Sequence, residues 1–167
     1  MNIRFQIAGK DDIPLIQCLS RTIWQEHYPG IISRAQIDYM LAKMYSSATL
    51  QSEMENEGSR YIVVSDQDEP IGYIAFRYDP DEAAILLSKI YLLPLYHGKG
   101  VGRQMLQYVK NDALTLGTKT IQLFVNRNNS KAIRAYERFG FVKAEKIVTD
   151  IGGGFVMDDF RMELRLK

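Results

Sequence analysis

The sequence predicts an α+β fold, organised as a single domain over residues 1–167. Three observations predict it. Helical apolar spacing dominates the first third, a series of strand-like segments fills the middle, and two helix–strand units follow around a glycine-rich loop, "YHGKGVGR", at Tyr96–Arg103. The length suits one domain with a real core.

Each element has its own local signal. Ile3, Phe5 and Ile7 alternate as in a strand. Asp11 or Asp12 can cap a helix carrying Ile13, Ile16, Leu19, Ile23 and Trp24 on one side, which "HYPG" ends. Ser33 and Gln36 form a capping-box pattern for a second helix to about Met44, and a third runs from Ser47 to Glu57 before Gly58. Strands are predicted at residues 60–65 and 70–78, joined by the turn "DQDEP". The nearly continuous apolar run "AAILLSKIYLL" (83–93) reads as a strand buried on both faces, ended by Pro94. A helix follows over 100–116, then the strand "TIQLFV", a helix over 129–139 stopped by Gly140, and a strand over 141–150. Gly152–Gly154 turns the chain. Phe160, Met162, Leu164 and Leu166 alternate with charged residues in a half-buried final strand, which makes Asp158 and Asp159 turn residues.

Composition excludes several functions. Hydrophobic residues are 46% and charged residues 25%, with a net charge of +1, so bulk charge does not suggest nucleic acid. No apolar run approaches the ~20 residues of a membrane span. A single cysteine, Cys18, rules out an internal disulfide and fits a cytoplasmic location. With two histidines and that one cysteine, no thiolate or imidazole metal cluster is expected.

The glycine loop is the first functional signal. A strand, a glycine-rich turn and a helix N-terminus form an anion site, because the first helical N–H groups lack intrahelical partners and the helix dipole favours negative charge there. Lys99 and Arg103 add charge. The phosphate-loop pattern fails because no Gly-Lys-Ser/Thr is present, and the dinucleotide pattern fails because Arg103 stands where its third glycine is required. Taken alone, the glycines could equally make a tight strand-to-helix turn.

The second signal is "VNRNNSKAIRAYERFGF", residues 125–141. Ala132, Ala135, Tyr136 and Phe139 fall on one helical stripe, so Tyr136 is by default a core aromatic and Asn129 a helix cap. Together, "HGKGVG" after "KIYLLP" and the later "NSKAIRAYERFGF" resemble the GCN5-related N-acetyltransferase (GNAT) family. The ending "DIGGGFVMDDFRMEL" and the lead "SRTIWQEHY" are similar to bacterial polyamine acetyltransferases of the PaiA type.

That resemblance implies a mixed, mostly antiparallel central sheet flanked by helices. It implies acetyl-CoA as co-substrate, with its diphosphate in the backbone cradle of Gly98, Lys99, Gly100, Val101, Gly102 and Arg103. Gly100 and Gly102 match the family's two loop glycines, and His97 stands where glutamine or arginine is usual. The pantetheine arm would pair with the strand carrying Ile90 and Leu92, Asn129 would contact the cofactor with Lys131 nearby, and Tyr136 would lie beside the sulfur. Transfer to an amine needs a neutral nucleophile, donors for the oxyanion and a proton for the leaving thiolate. The backbone N–H of Leu92 is the expected oxyanion donor and Tyr136 the expected proton donor. Transfer would be direct within a ternary complex, since no cysteine falls in the site region.

The general base is a departure. Leu86 and Ser88 stand where many relatives carry a glutamate, which leaves Glu26 and His27 as candidates, each by default a solvated surface group. Asp79, Asp81 and Glu82 read most simply as a solvated turn. The expected acceptor is a small-molecule amine or polyamine. Two other readings stay open: a peptide or protein N-acetyltransferase, and a non-catalytic acyl-CoA sensor. The resemblance and the long C-terminal strand allow a homodimer, although an edge strand can also be managed within a monomer.

Overall fold

The computed structural model describes residues 1–167. Seven strands form one sheet: β1 (Ile3–Ile7), β2 (Arg60–Asp66), β3 (Glu69–Asp79), β4 (Ala84–Leu92), β5 (Thr120–Asn126), β6 (Val142–Gly152) and β7 (Phe155–Arg165). Their order is β1-β2-β3-β4-β5-β7-β6, and every neighbouring pair is antiparallel except β4 with β5. Five helices cover it: α1 (Ile13–His27), α2 (Arg34–Met44), α3 (Ser47–Glu55), α4 (Val101–Thr115) and α5 (Ser130–Phe139). The α+β fold is as predicted.

The sheet separates two cores. On one face Val101, Met105 and Val109 of α4 and Ile133 of α5 pack on Ile62, Ile74, Ile85 and Leu123. On the other, Ile16, Ile23 and Trp24 of α1, Ile37 of α2 and Leu50 of α3 pack on Tyr61, Tyr73 and Ala75. The helix caps follow local chemistry. Ser33 and Ser46 each accept a hydrogen bond from the backbone N–H three residues on, at 3.1 Å in both cases.

Two features of β4 shape the site. First, its parallel pairing with β5 covers only Ala84–Leu87 against Thr120–Leu123, after which the two strands diverge. Second, the register against β3 slips so that Phe76 faces Leu87 while Ala75 faces Lys89, leaving Ser88 as a β-bulge. The bulge inverts the strand's alternation. Ile85 and Leu87 point into the α4 core before it; Leu92 does so after it, while Tyr91 packs against the α1–α3 core. The sequence reading of a strand buried on both faces needs correction only at Ser88, which is exposed, and holds even at the charged residue Lys89. This side chain is buried and paired with Glu53 of α3 at 2.9 Å, beneath the rings of Tyr45 and Tyr61.

A second correction concerns the C-terminal hairpin. Gly152–Gly154 all adopt positive φ and close the turn within three residues, so β7 begins at Phe155. Asp158 and Asp159 therefore lie within the strand and not in a turn. Asp158 pairs with Arg127 at 2.7 Å, whereas Asp159 is buried. The hairpin is tied to α2 by Tyr39 and Lys43, which donate to the Ile151 carbonyl at 2.8 and 2.5 Å, and by Gln36, which donates to the Val156 carbonyl at 2.8 Å. No helix is long and apolar enough to cross a membrane.

Candidate active site

The divergence of β4 and β5 opens a cavity of about 730 Å³ that runs between the two helical layers. Leu86–Ser88 and Ile90–Leu92 form one wall, Leu123–Asn126 the other. Past the bulge, the β4 backbone has β3 on one side only. The Leu93 N–H donates to the Ile71 carbonyl of that neighbour at 2.8 Å. Because strand N–H groups alternate in direction, those of Ile90 and Leu92 turn towards the cavity.

Leu92 is further fixed through its carbonyl, which lies 2.9 Å from His97 Nε2. The other ring nitrogen of His97 is 3.0 Å from Lys131 Nζ. An ammonium can only donate, so Nδ1 accepts and Nε2–H donates to Leu92. His97 thus ties the end of β4 to the start of α5 while standing in the loop that precedes α4.

That loop has the form of an anion cradle. Gly98 and Gly100 have φ of 75° and 81°, conformations that a side chain would strain, and Gly100 is the N-cap of α4. Gly102 is different. Its φ is unremarkable and no atom lies within 4 Å of where a Cβ would stand, yet it lines the cavity. A side chain there would enter the space above the free N–H groups of the helix N-terminus, which is the space a diphosphate needs. Arg103, in the first turn of α4, and Lys131 and Arg138 of α5 line the same cavity. The residues present therefore fit a CoA diphosphate. Two expected members contribute backbone alone: the Val101 side chain is buried in the core, and Lys99 extends over the Tyr96 ring, with 5.4 Å from Nζ to the centroid.

The remaining sequence candidates divide. Asn129 caps α5 by accepting from Ala132 N at 3.4 Å, is itself buried, and lines the cavity. Tyr136 packs against Phe141, with centroids 5.9 Å apart, and also lines the cavity, so its core and site positions coincide. Burial, reinforced by nearby Tyr28, pushes its hydroxyl pKa well above the usual tyrosine value. Of the two base candidates, Glu26 is exposed and off the cavity, whereas His27 is half-buried and lines it. Burial, then His97 and Lys131, hold His27 below its ordinary value, with a hydrogen bond to Asn129 acting in the opposite sense. Ser88 does not replace the missing glutamate, since its hydroxyl is turned back to the Ala75 carbonyl at 3.1 Å.

The far end of the cavity was not legible in the sequence. Trp24 and Tyr28 follow from α1, Ile32, Gln36, Met40 and Met44 from α2 and its lead, and Thr149, Met157 and Asp159 from β6 and β7. Tyr28 and Tyr91 share a hydrogen bond at 3.2 Å, and burial pushes Tyr28 up to about 12.

Comparison with known proteins agrees with this geometry. The profile of the Acetyltransferase (GNAT) family matches residues 21–141. A spermidine N(1)-acetyltransferase of Thermoplasma acidophilum is 25% identical over 162 residues, 95% of this chain and 97% of that protein. Among solved structures, the PaiA N-acetyltransferase of Thermoplasma acidophilum in complex with coenzyme A superposes with a TM-score of 0.83 at 24% identity, over 99% of this chain and all of that one. The spermidine N-acetyltransferase of Vibrio cholerae in complex with CoA and spermine gives 0.72 at 20% identity, over 98% and 95% of the two chains. A parallel-strand divergence beside a glycine cradle, with the family profile spanning both, places the chain in one family: it belongs to the GNAT acetyltransferases.

Proposed function

We propose that the protein transfers the acetyl group of acetyl-CoA to a primary amine of a small molecule of the polyamine type. The observation that carries this reading is the continuity of the cavity. It runs from the glycine cradle, along the β4 edge with the Leu92 N–H turned inward, to Tyr136 and the α1–α2 wall. The similarity to spermidine acetyltransferases supports the acceptor class.

Acetyl-CoA supplies an activated acyl carbon and a thiolate leaving group. The loop of Gly98–Arg103, with Lys131, holds its diphosphate, and the β4 backbone at Ile90 and Leu92 holds its pantetheine arm. Asn129 orients that arm from the start of α5. The Leu92 N–H donates to the developing oxyanion, and its direction is set beforehand by the His97 bond to the carbonyl of the same residue. Tyr136, kept protonated by burial, gives its proton to the leaving sulfur. Cys18 is exposed and does not line the cavity, which supports direct transfer in a ternary complex.

The test is calorimetric titration with acetyl-CoA, followed by measurement of CoA release over an amine panel. Saturable binding near one per chain, with release that depends on a polyamine, is expected. Absence of acetyl-CoA binding up to about millimolar, a free energy near −4 kcal/mol, would remove the acetyltransfer reading.

A further inference from the structure

Charge is unevenly distributed along the cavity. Its cations, Arg103, Lys131 and Arg138, all come from the first turn of α4 and from α5. Only one carboxylate lines it anywhere, that of Asp159 on β7. Asp159 is 6% exposed, yet burial and the adjacent Asp158 both raise its pKa, to about 6, with no hydrogen bond or cation acting against them. Its carboxylate makes no hydrogen bond within the protein and is not among the fully buried polar atoms, so its oxygens open to the cavity, where a cation can reach them. Apolar Met157, Trp24 and Ile32 line the same cavity, a lining suited to an alkyl chain.

We propose that Asp159 is the acceptor-recognition residue, holding the attacking amine as its ammonium and taking the first proton from it. This inference rests on the acetyltransfer reading above. The ammonium gives one proton to the Asp159 carboxylate, and the freed lone pair forms the C–N bond to the acetyl carbon. The C–S bond breaks, the sulfur takes a proton from Tyr136, and the second proton from nitrogen restores Tyr136. Asp159 then passes its proton to water, so ammonium and thioester become amide, thiol and one proton.

His27 is the weaker choice for this role. Lys131 stands near it as positive charge, which would repel an incoming ammonium. Asp159 has no such neighbour. The titratable and charged groups about it are Tyr28 after α1, Asp158 on its own strand, and Arg127, which is engaged by Asp158. Its strand neighbours, Asn126 in β5 and Ile147 in β6, carry no charge. The raised pKa also narrows the gap to an alkylammonium near ~10.4, making the carboxylate a better base than an exposed aspartate.

The experiment is calorimetric titration of 1,4-diaminobutane and of spermidine into the CoA-saturated protein, for wild type, Asp159→Asn and His27→Gln. Asp159→Asn is expected to bind at least one amine tenfold or more weakly, with CoA affinity within about twofold of wild type as proof of folding. His27→Gln is expected to bind amines as wild type does. Wild-type amine affinity should fall as pH is lowered through about 6, and the Asp159→Asn affinity should not. Equal amine binding by wild type and Asp159→Asn, or no amine binding by wild type, would overturn the proposal. The titrations are repeated without CoA. Failure of the protein to bind CoA would sink the acetyltransfer reading, while the same tenfold difference would still decide the part played by Asp159.

Discussion

The two ends of the cavity are built on different principles. The end proposed for the cofactor is made chiefly of backbone: positive-φ glycines, free helix N–H groups, and a strand edge left open by diverging neighbours. The end proposed for the acceptor is made of side chains that converge from α1, α2, β6 and β7. A backbone site must be written locally, because it needs particular residues within one turn of chain. A convergent site is written nowhere in particular and exists only once the fold has formed. Chemistry at the first end should therefore be sensitive to shape, and at the second to charge.

Four changes would break or sharpen that contrast. The largest effect is expected where the two ends meet, at Tyr136→Phe. Turnover should fall by about 10²-fold or more, the usual worth of a placed proton donor, with acetyl-CoA affinity nearly unchanged by calorimetry. Wild-type turnover would return Tyr136 to a core aromatic. Next is Gly102→Leu, at a position with neither positive φ nor crowding neighbours. Acetyl-CoA affinity should drop by about tenfold, or 1.4 kcal/mol, while thermal stability holds or rises because leucine is the better helix former. Parallel loss of stability and affinity would mean that the glycine serves the fold alone.

The third change separates the ends by stability. The folded pKa of Asp159 is raised from 3.8 to about 6, so its contribution is fully present below 3.8 and is lost as pH rises through 6. Asp159→Asn should therefore be the more stable protein at pH 7.5, by about 1 kcal/mol once solvent screening is allowed for. Denaturant melts of the two proteins should converge near pH 4. Equal stability at pH 7.5 would show that the carboxylate is already compensated. The smallest effect is expected at His27, whose folded pKa is depressed. Its contribution is present above 6.5 and is lost as pH falls through the lowered value. Melting temperatures of His27→Gln should therefore decline less between pH 7 and pH 5 than those of wild type. A steeper decline in the variant would reverse the sign of that linkage.

The same contrast explains what could be read from the sequence. Helix starts at Ser33 and Asn129, the stop at Gly140, and the glycine turn before α4 all depend on neighbours within a few positions, and the structure places them as expected. Lys89 was hidden because its partner Glu53 is distant in sequence and because the bulge at Ser88 inverts a pattern that looks continuous. In the sequence Asp159 reads as a turn residue because the apolar alternation becomes clear only from Phe160. Its meaning depends on Tyr28 and the α2 wall, which no local pattern connects to β7. His27 was one of two equal candidates, and only the packing of α1 against the cleft separates it from Glu26.

The open edge of β4 also bears on how the protein avoids harm. Beyond Leu87, β4 exposes hydrogen-bonding groups that no strand satisfies, and on an outer rim such an edge would recruit other chains. Here it lies inside a cleft flanked by β5 and helices, with its end held by His97. A second protein would have to bring in a full extended strand, whereas a slender pantetheine arm needs only its amides. Confinement thus shields the open edge from strand-to-strand pairing with other chains and leaves it to the slender ligand arm that the proposed function assigns to it.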